Sequence, residues 1–162
     1  MRGIVLVLAG LLAGLATAAA TEPLVGRASV IGGDTIEIHG ERIRFNGIDA
    51  PESWQRCTDG VGAEYRCGRA AAEALDAFLA ASRPTTCRGV SRDRYKRIVA
   101  VCHRADGVEV NAWLVQNGHA LDWPRYSKGA YAEHQAEAQR DGAGMWQGEF
   151  VEPWEARTQR RQ

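Results

Sequence analysis

The stretch Arg27-Ala28-Ser29-Val30-Ile31-Gly32-Gly33-Asp34-Thr35-Ile36-Glu37-Ile38-His39-Gly40-Glu41-Arg42-Ile43-Arg44-Phe45 decides the fold. Its β-branched runs are cut by turn chemistry at Gly32-Gly33-Asp34 and at His39-Gly40-Glu41. That punctuation predicts a meander of three short antiparallel strands over 27–31, 35–38 and 42–45. Asn46-Gly47-Ile48-Asp49-Ala50-Pro51-Glu52 follows, and Pro51, with no N–H to give to a ladder, ends the third strand. Side chains alternate along a strand, so Arg44 and Asp49 would face opposite sides if it ran straight. Gly47 offers the bulge or turn that brings them together.

Downstream, 53–67 is polar and without period, and reads as a loop closed by Cys57–Cys67. From Gly68 to Ala81 the chain is rich in Ala, Leu and Glu, with Leu75, Phe78 and Leu79 on one face, a helix stopped before Pro84. Residues 85–90 and 97–102 are two more strands, and as a hairpin they place Cys87 and Cys102 where a cross-strand bridge fits. A second helix is predicted over 108–117, ended by Gly118, and a third over 130–140, closed by Gly142 and Gly144. Residues 121–127 form an aromatic-bearing loop between them, and Met145-Trp146 begins a tail. The pattern predicts an α+β domain rich in β-structure: five strands in a small barrel packed with helices, a kind that includes the partly open OB-fold. At 162 residues the chain holds one domain, over 21–162, with a core at about 27–147.

The first twenty residues read as a secretory signal. Met1-Arg2 starts it, Ile4 to Ala16 is apolar, and Ala18-Ala19-Ala20 supplies a small-residue cleavage site. Export to a periplasm or beyond fits the even set of four cysteines, whose spacing lacks the close pairs of a zinc site. Disulfides Cys57–Cys67 and Cys87–Cys102 are therefore expected, with no membrane segment left after cleavage. Twenty basic residues balance twenty acidic ones. A global positive field for nucleic acid is thereby excluded, and any grip on a polyanion has to be local.

The chemistry concentrates at a few positions. Asp34 and Asp49 stand at strand boundaries, where Asp is common in turns for its own sake. With Glu52 and two strand-borne arginines, Arg44 and Arg97, they become a set. Oxygen-only ligands suit Ca²⁺, and the lack of nearby His argues against zinc. Each arginine offers a planar fork matched to phosphate oxygens, and Glu52 is a spare carboxylate for a water.

Gly33-Asp34-Thr35, then Arg44 with Asp49-Ala50-Pro51-Glu52, then Asp93-Arg94-Tyr95-Lys96-Arg97 resembles the staphylococcal nuclease (thermonuclease) family in order and spacing. So does Val110-Asn111-Ala112-x-Leu114-Val115-x-x-Gly118-x-Ala120. The likeness covers roughly residues 27 to 147. It implies a five-stranded OB-fold barrel packed with three α-helices, and a Ca²⁺-dependent endonuclease acting on DNA and RNA, with single strands favoured and a monomer expected. By that resemblance Asp34 and Asp49 ligate the metal, Ala50 through its backbone carbonyl and Thr35 through water. Glu52 activates the attacking water, and Arg44 and Arg97 clamp the phosphate. Tyr95, Lys96 and Tyr126 would contact substrate. Ala50 stands where the family usually has Thr, which matters little for a main-chain ligand. Lys96 stands where the family usually has Gly, and it either alters the turn or adds a cation near the substrate. Trp123-Pro124 replaces other residues of the base-stacking pocket. The rival reading is a non-catalytic OB-fold module that binds nucleic acid or a partner.

Overall fold

The computed structural model describes residues 22–162, so the signal-peptide reading of residues 1–20 lies outside the described residues. Strand β1 (Leu24–Gly26) precedes the meander β2 (Ser29–Gly32), β3 (Thr35–Ile38) and β4 (Glu41–Phe45). The three meander strands pair antiparallel as expected, with Ile36 opposite Ile43 and Thr35 opposite Arg44. Alternation sorts the two faces. Ile36, Ile38, Ile43 and Phe45 are buried, each worth roughly 1.5–3 kcal/mol of transfer free energy, while Glu37, Arg42 and Arg44 on the other face are less buried.

Next come two-residue strands β5 (Ile48–Asp49), β6 (Cys57–Thr58) and β7 (Glu64–Tyr65), then helix α1 (Cys67–Ala80). Leu75 and Leu79 of α1 are buried against the sheet. Strands β8 (Thr85–Arg92) and β9 (Ile98–His103) form the expected hairpin, with Cys87 directly opposite Cys102. Both disulfides are present as expected, Cys57–Cys67 and Cys87–Cys102. Strand β9 also pairs in parallel with β4, setting Arg44 beside Val99.

The main sheet of the described residues runs β1-β8-β9-β4-β3-β2, one strand more than expected, because residues before the meander add β1. It curls until β1 meets β3. A side chain at Gly26 would strike Ile38 Cγ2 at 2.7 Å, and His39 Nε2 lies 3.1 Å from the Val25 carbonyl. That curl makes the partly open barrel, and Gly26 is the residue that lets its ends approach.

Helix α2 (Val110–Gln116) caps the barrel. Its buried Asn111 accepts from Cys102 N at 3.2 Å and donates to the carbonyls of Asn46 at 3.0 Å and Ala100 at 3.3 Å. One side chain thus ties the helix to β9 and to the turn that carries the site. After β10 (Leu121–Asp122), which pairs with β5, come α3 (Pro124–Ser127) and α4 (Ala132–Asp141). The expected 121–127 loop is therefore a short strand and one helical turn, built on Pro124 at the helix start. The expected tail contains a 3₁₀ turn over Gly144–Gln147 and a further helix, α5 (Pro153–Gln159). None of the described helices is long and apolar enough to cross a membrane.

One titration belongs to the fold. Burial lowers the His119 pKa below its ordinary value. The unfolded chain then binds a proton that the native state refuses, so stability rises with pH across the window between the depressed pKa and about 6.5. Thermal unfolding should show that slope near pH 6 in the wild type. His119→Asn should flatten it, and an unchanged slope would place the titration elsewhere.

Candidate active site

Asn46 and Gly47 form the turn between β4 and β5. Gly47 has φ of 75°, and a Cβ there would lie 3.0 Å from Ser127 Cα and 3.1 Å from a Tyr131 ring carbon. Only glycine satisfies both the dihedral and the space. The turn brings Arg44 and Asp49 to one side, as the sequence required. Arg44 Nη2 donates to Asp49 Oδ1 at 2.7 Å, and its Nη1 lies 2.7 Å from Asp34 Oδ2. A single guanidinium therefore spans both carboxylates.

Asp49 is fully buried, and Asp34 and Thr35 nearly so. Thr35 Oγ1 donates to Asp34 Oδ1 at 2.8 Å, and Ala50 N lies 3.4 Å from Asp34 Oδ2. Burial pushes the Asp49 carboxyl above its usual range, against the opposing pull of Arg157 and Arg44. Arg97 comes to the same neighbourhood from the start of β9. Its Nε donates to Asp93 Oδ2 at 2.7 Å, and its Nη1 approaches Thr35 Oγ1 at 3.5 Å. Burial opposes ionisation of Asp93, yet hydrogen bonds from the Arg97 side chain and the turn backbone outweigh it and hold the carboxyl below its ordinary value.

Glu52 lies beyond Pro51 on a tight loop. Gln55 N donates to the Glu52 carbonyl at 2.7 Å, and Glu52 N donates to Gln55 Oε1 at 3.3 Å. Beneath it passes the start of α1, where a Cβ on Gly68 would fall 1.8 Å from the Glu52 carbonyl oxygen. Gly68→Ala should therefore displace Glu52 and cost about 1–3 kcal/mol, as overpacking does. Unfolding and turnover should both register it, and a variant with wild-type values would show that the loop moves freely.

Arg44, Glu52, Arg97, Tyr95 and Tyr126 line one cleft of about 640 Å³. Asp34, Thr35, Asp49 and Ala50 are buried and do not line it. Lys96 is exposed and does not line the cleft. Its φ of 67° explains why glycine suits that position: the turn needs a left-handed residue. The turn survives the lysine because Lys96 N donates to Asp93 O at 2.9 Å and Arg92 donates to Lys96 O at 2.9 Å.

Several groups escaped the sequence reading. Arg94, Arg125, Arg157 and Arg161 also line the cleft, so six arginines face it in a chain of balanced charge. Trp123, already placed in the base-stacking pocket, packs edge-on to Tyr126 at 4.5 Å and lies under both Arg44 and Arg157, at 5.8 and 5.6 Å. Arg157, from α5, bonds both Asp49 and Glu52. Its guanidinium sits above its already high pKa, because Asp49 and Glu52 outweigh the effect of burial. Glu152-Pro153 was the available signal, since Pro at the first helical position starts a helix, and three arginines follow it.

A family described as staphylococcal nuclease homologue matches residues 42–148. Among similar proteins, the "Succinoglycan biosynthesis protein ExoI" of Rhizobium meliloti (strain 1021) is 57% identical over 129 residues, covering 80% of this chain and 68% of that protein. An "Uncharacterized endonuclease" of Escherichia coli is 33% identical over 131 residues, covering 77% of this chain and 78% of its own. "Endonuclease YhcR" of Bacillus subtilis (strain 168) is 30% identical over 131 residues, which is 72% of this chain but 11% of that protein. The barrel, the turn at Gly47 and these matches converge, and the chain belongs to the staphylococcal nuclease homologue family.

Proposed function

We propose that the protein is an exported, Ca²⁺-dependent nuclease that hydrolyses phosphodiester bonds of single-stranded DNA and RNA as a monomer. The observation that carries this reading is the pair of carboxylates Asp34 and Asp49, drawn together by Arg44, whose own side chain lines an arginine-rich cleft.

The donor set suits a hard cation. Two carboxylates stand close enough to share one guanidinium, and Ala50 is buried beside them. Among the described residues no three His, Cys, Asp or Glu side chains gather closely enough to form a cage. The Ala50 carbonyl and water held by Thr35 would complete the ligand set, as Ca²⁺ accepts. When bound, the ion supplies positive charge against the phosphate.

The chain's own groups do the rest. Arg44 and Arg97 present donor forks to the phosphate oxygens on which charge builds in the transition state. Glu52, half-exposed at the cleft edge, takes a proton from the attacking water. Tyr95 and Tyr126, both exposed, offer faces on which unpaired bases stack, which favours single strands. The Rhizobium meliloti relative is named for polysaccharide biosynthesis. The six arginines that line this cleft suit the anionic phosphodiester of a nucleic acid.

The test is release of acid-soluble nucleotides from heat-denatured DNA and from RNA by the oxidised protein, with Ca²⁺ and with a chelator. Calcium-dependent release is expected. Retention of nucleic acid without release would instead favour a binding module.

A further inference from the structure

Helix α5 puts a second cation among the carboxylates. Arg157 Nη2 lies 2.6 Å from Asp49 Oδ2, while its Nη1 lies 3.1 Å from Asp49 Oδ1 and 2.9 Å from Glu52 Oε1. With Arg44 on Oδ1 as well, both oxygens of the buried Asp49 already accept from guanidinium. Charge bookkeeping makes the consequence plain. Asp34, Asp49 and Glu52 bring three negative charges, and Arg44 and Arg157 offset two of them. Withdraw Arg157 and two negative charges remain, which is what a divalent cation neutralises.

The arginine is presented by a docked element. Pro153 and Ala156 of α5 are buried, and Trp154 stacks on Trp123 at 5.8 Å and 15°. The segment before α5 is fastened to the loop at β6. Gln55 Nε2 donates to the Val151 carbonyl, Thr58 N to Glu149 O at 2.8 Å, and Glu149 N to Thr58 Oγ1 at 2.8 Å. Yet α5 is only seven residues long with two residues buried, and the Arg157 side chain keeps 24% of its surface exposed. A short helix with so few buried residues opens at small cost compared with the barrel. It also lies outside the 42–148 family match.

We propose that Arg157 is an internal competitor of the divalent metal: α5 holds Asp49 and Glu52 in the metal-free protein, and metal binding requires its guanidinium to leave Asp49. The proposal rests on the calcium reading above. A fixed positive charge bonded to a metal-ligating carboxylate repels the incoming ion and blocks its oxygens at once, so the two cations exclude one another.

The experiment is calorimetric titration of CaCl₂ into the oxidised full chain without nucleic acid, in wild type, Arg157→Gln, Arg157→Lys and Trp154→Ala. Arg157→Gln should bind Ca²⁺ about tenfold or more tightly than wild type. Trp154→Ala, which loosens α5 without touching a carboxylate, should move in the same direction. Arg157→Lys, which keeps the charge, should stay near wild type. Equal or weaker binding by Arg157→Gln and Trp154→Ala, with wild type still binding Ca²⁺, overturns the competition and leaves the calcium reading standing. Lysine behaving like glutamine overturns it too, since charge would then not be the cause. Absence of binding in all four proteins overturns the calcium reading and this inference together.

Discussion

Arg44→Ala is expected to lower turnover on denatured DNA by about 10²-fold or more, the size of loss that follows removal of one transition-state donor. The same change should lower stability. Asp49 has no exposed surface, and Arg44 is one of its two cationic partners. Breaking a buried ion pair from one side costs about 3–5 kcal/mol, because the remaining charge stays in a medium that cannot solvate it. Rates should therefore be compared well below the melting temperature, with Arg44→Lys as the variant that keeps the charge and loses the fork. Arg97→Ala separates the two effects. Its partner Asp93 keeps backbone donors from Tyr95 and Arg97, at 2.9 and 3.0 Å, so the loss of turnover should come with much less loss of stability. A drop of only a few-fold in both variants would move the chemistry away from this cleft.

Removing the bridge between Cys87 and Cys102 should also lower stability by a large step. Both residues are buried at the centre of the barrel wall, on strands that also carry β1 and β4. The bridge spans a sequence separation of 15, for which chain entropy gives about 3 kcal/mol. For a domain of this length that is a fall of about 10 °C in melting temperature. Paired Cys87→Ala and Cys102→Ala substitutions, followed by thermal unfolding, measure it directly. A shift of 1–2 °C would mean that the hairpin register holds the strands without the sulfurs.

Much of the fold was legible because its signals are local. The meander announces itself through turn residues at Gly32-Gly33-Asp34 and His39-Gly40, and the helix at 67–80 through its period. Strand β1 was not legible. Leu24–Gly26 is three residues long and exists because β8 lies beside it, and no local pattern encodes a partner sixty residues away. The need for a turn at Gly47 was legible from strand geometry alone, and the shared guanidinium of Arg44 is its result. Lys96 was legible as an oddity but not as a left-handed residue outside the cleft lining. Arg157 was the main omission. In sequence it sits in a short, charged tail, and its meaning comes from Asp49, 108 positions earlier. Long-range pairing of charges leaves no periodic trace.

The parallel pairing of β4 with β9 also governs when the site comes into being. Arg44 and Arg97 become neighbours only when residues 43–45 align with 98–100, after α1 and the β8 strand have been threaded between them. Such non-local strand closure is slow compared with helix formation and hairpin zipping. During refolding from denaturant, the helical signal should therefore return before the ability to cut. Recovered cleavage then serves as a clock for barrel closure, timing a step that bulk spectroscopy averages over the whole chain.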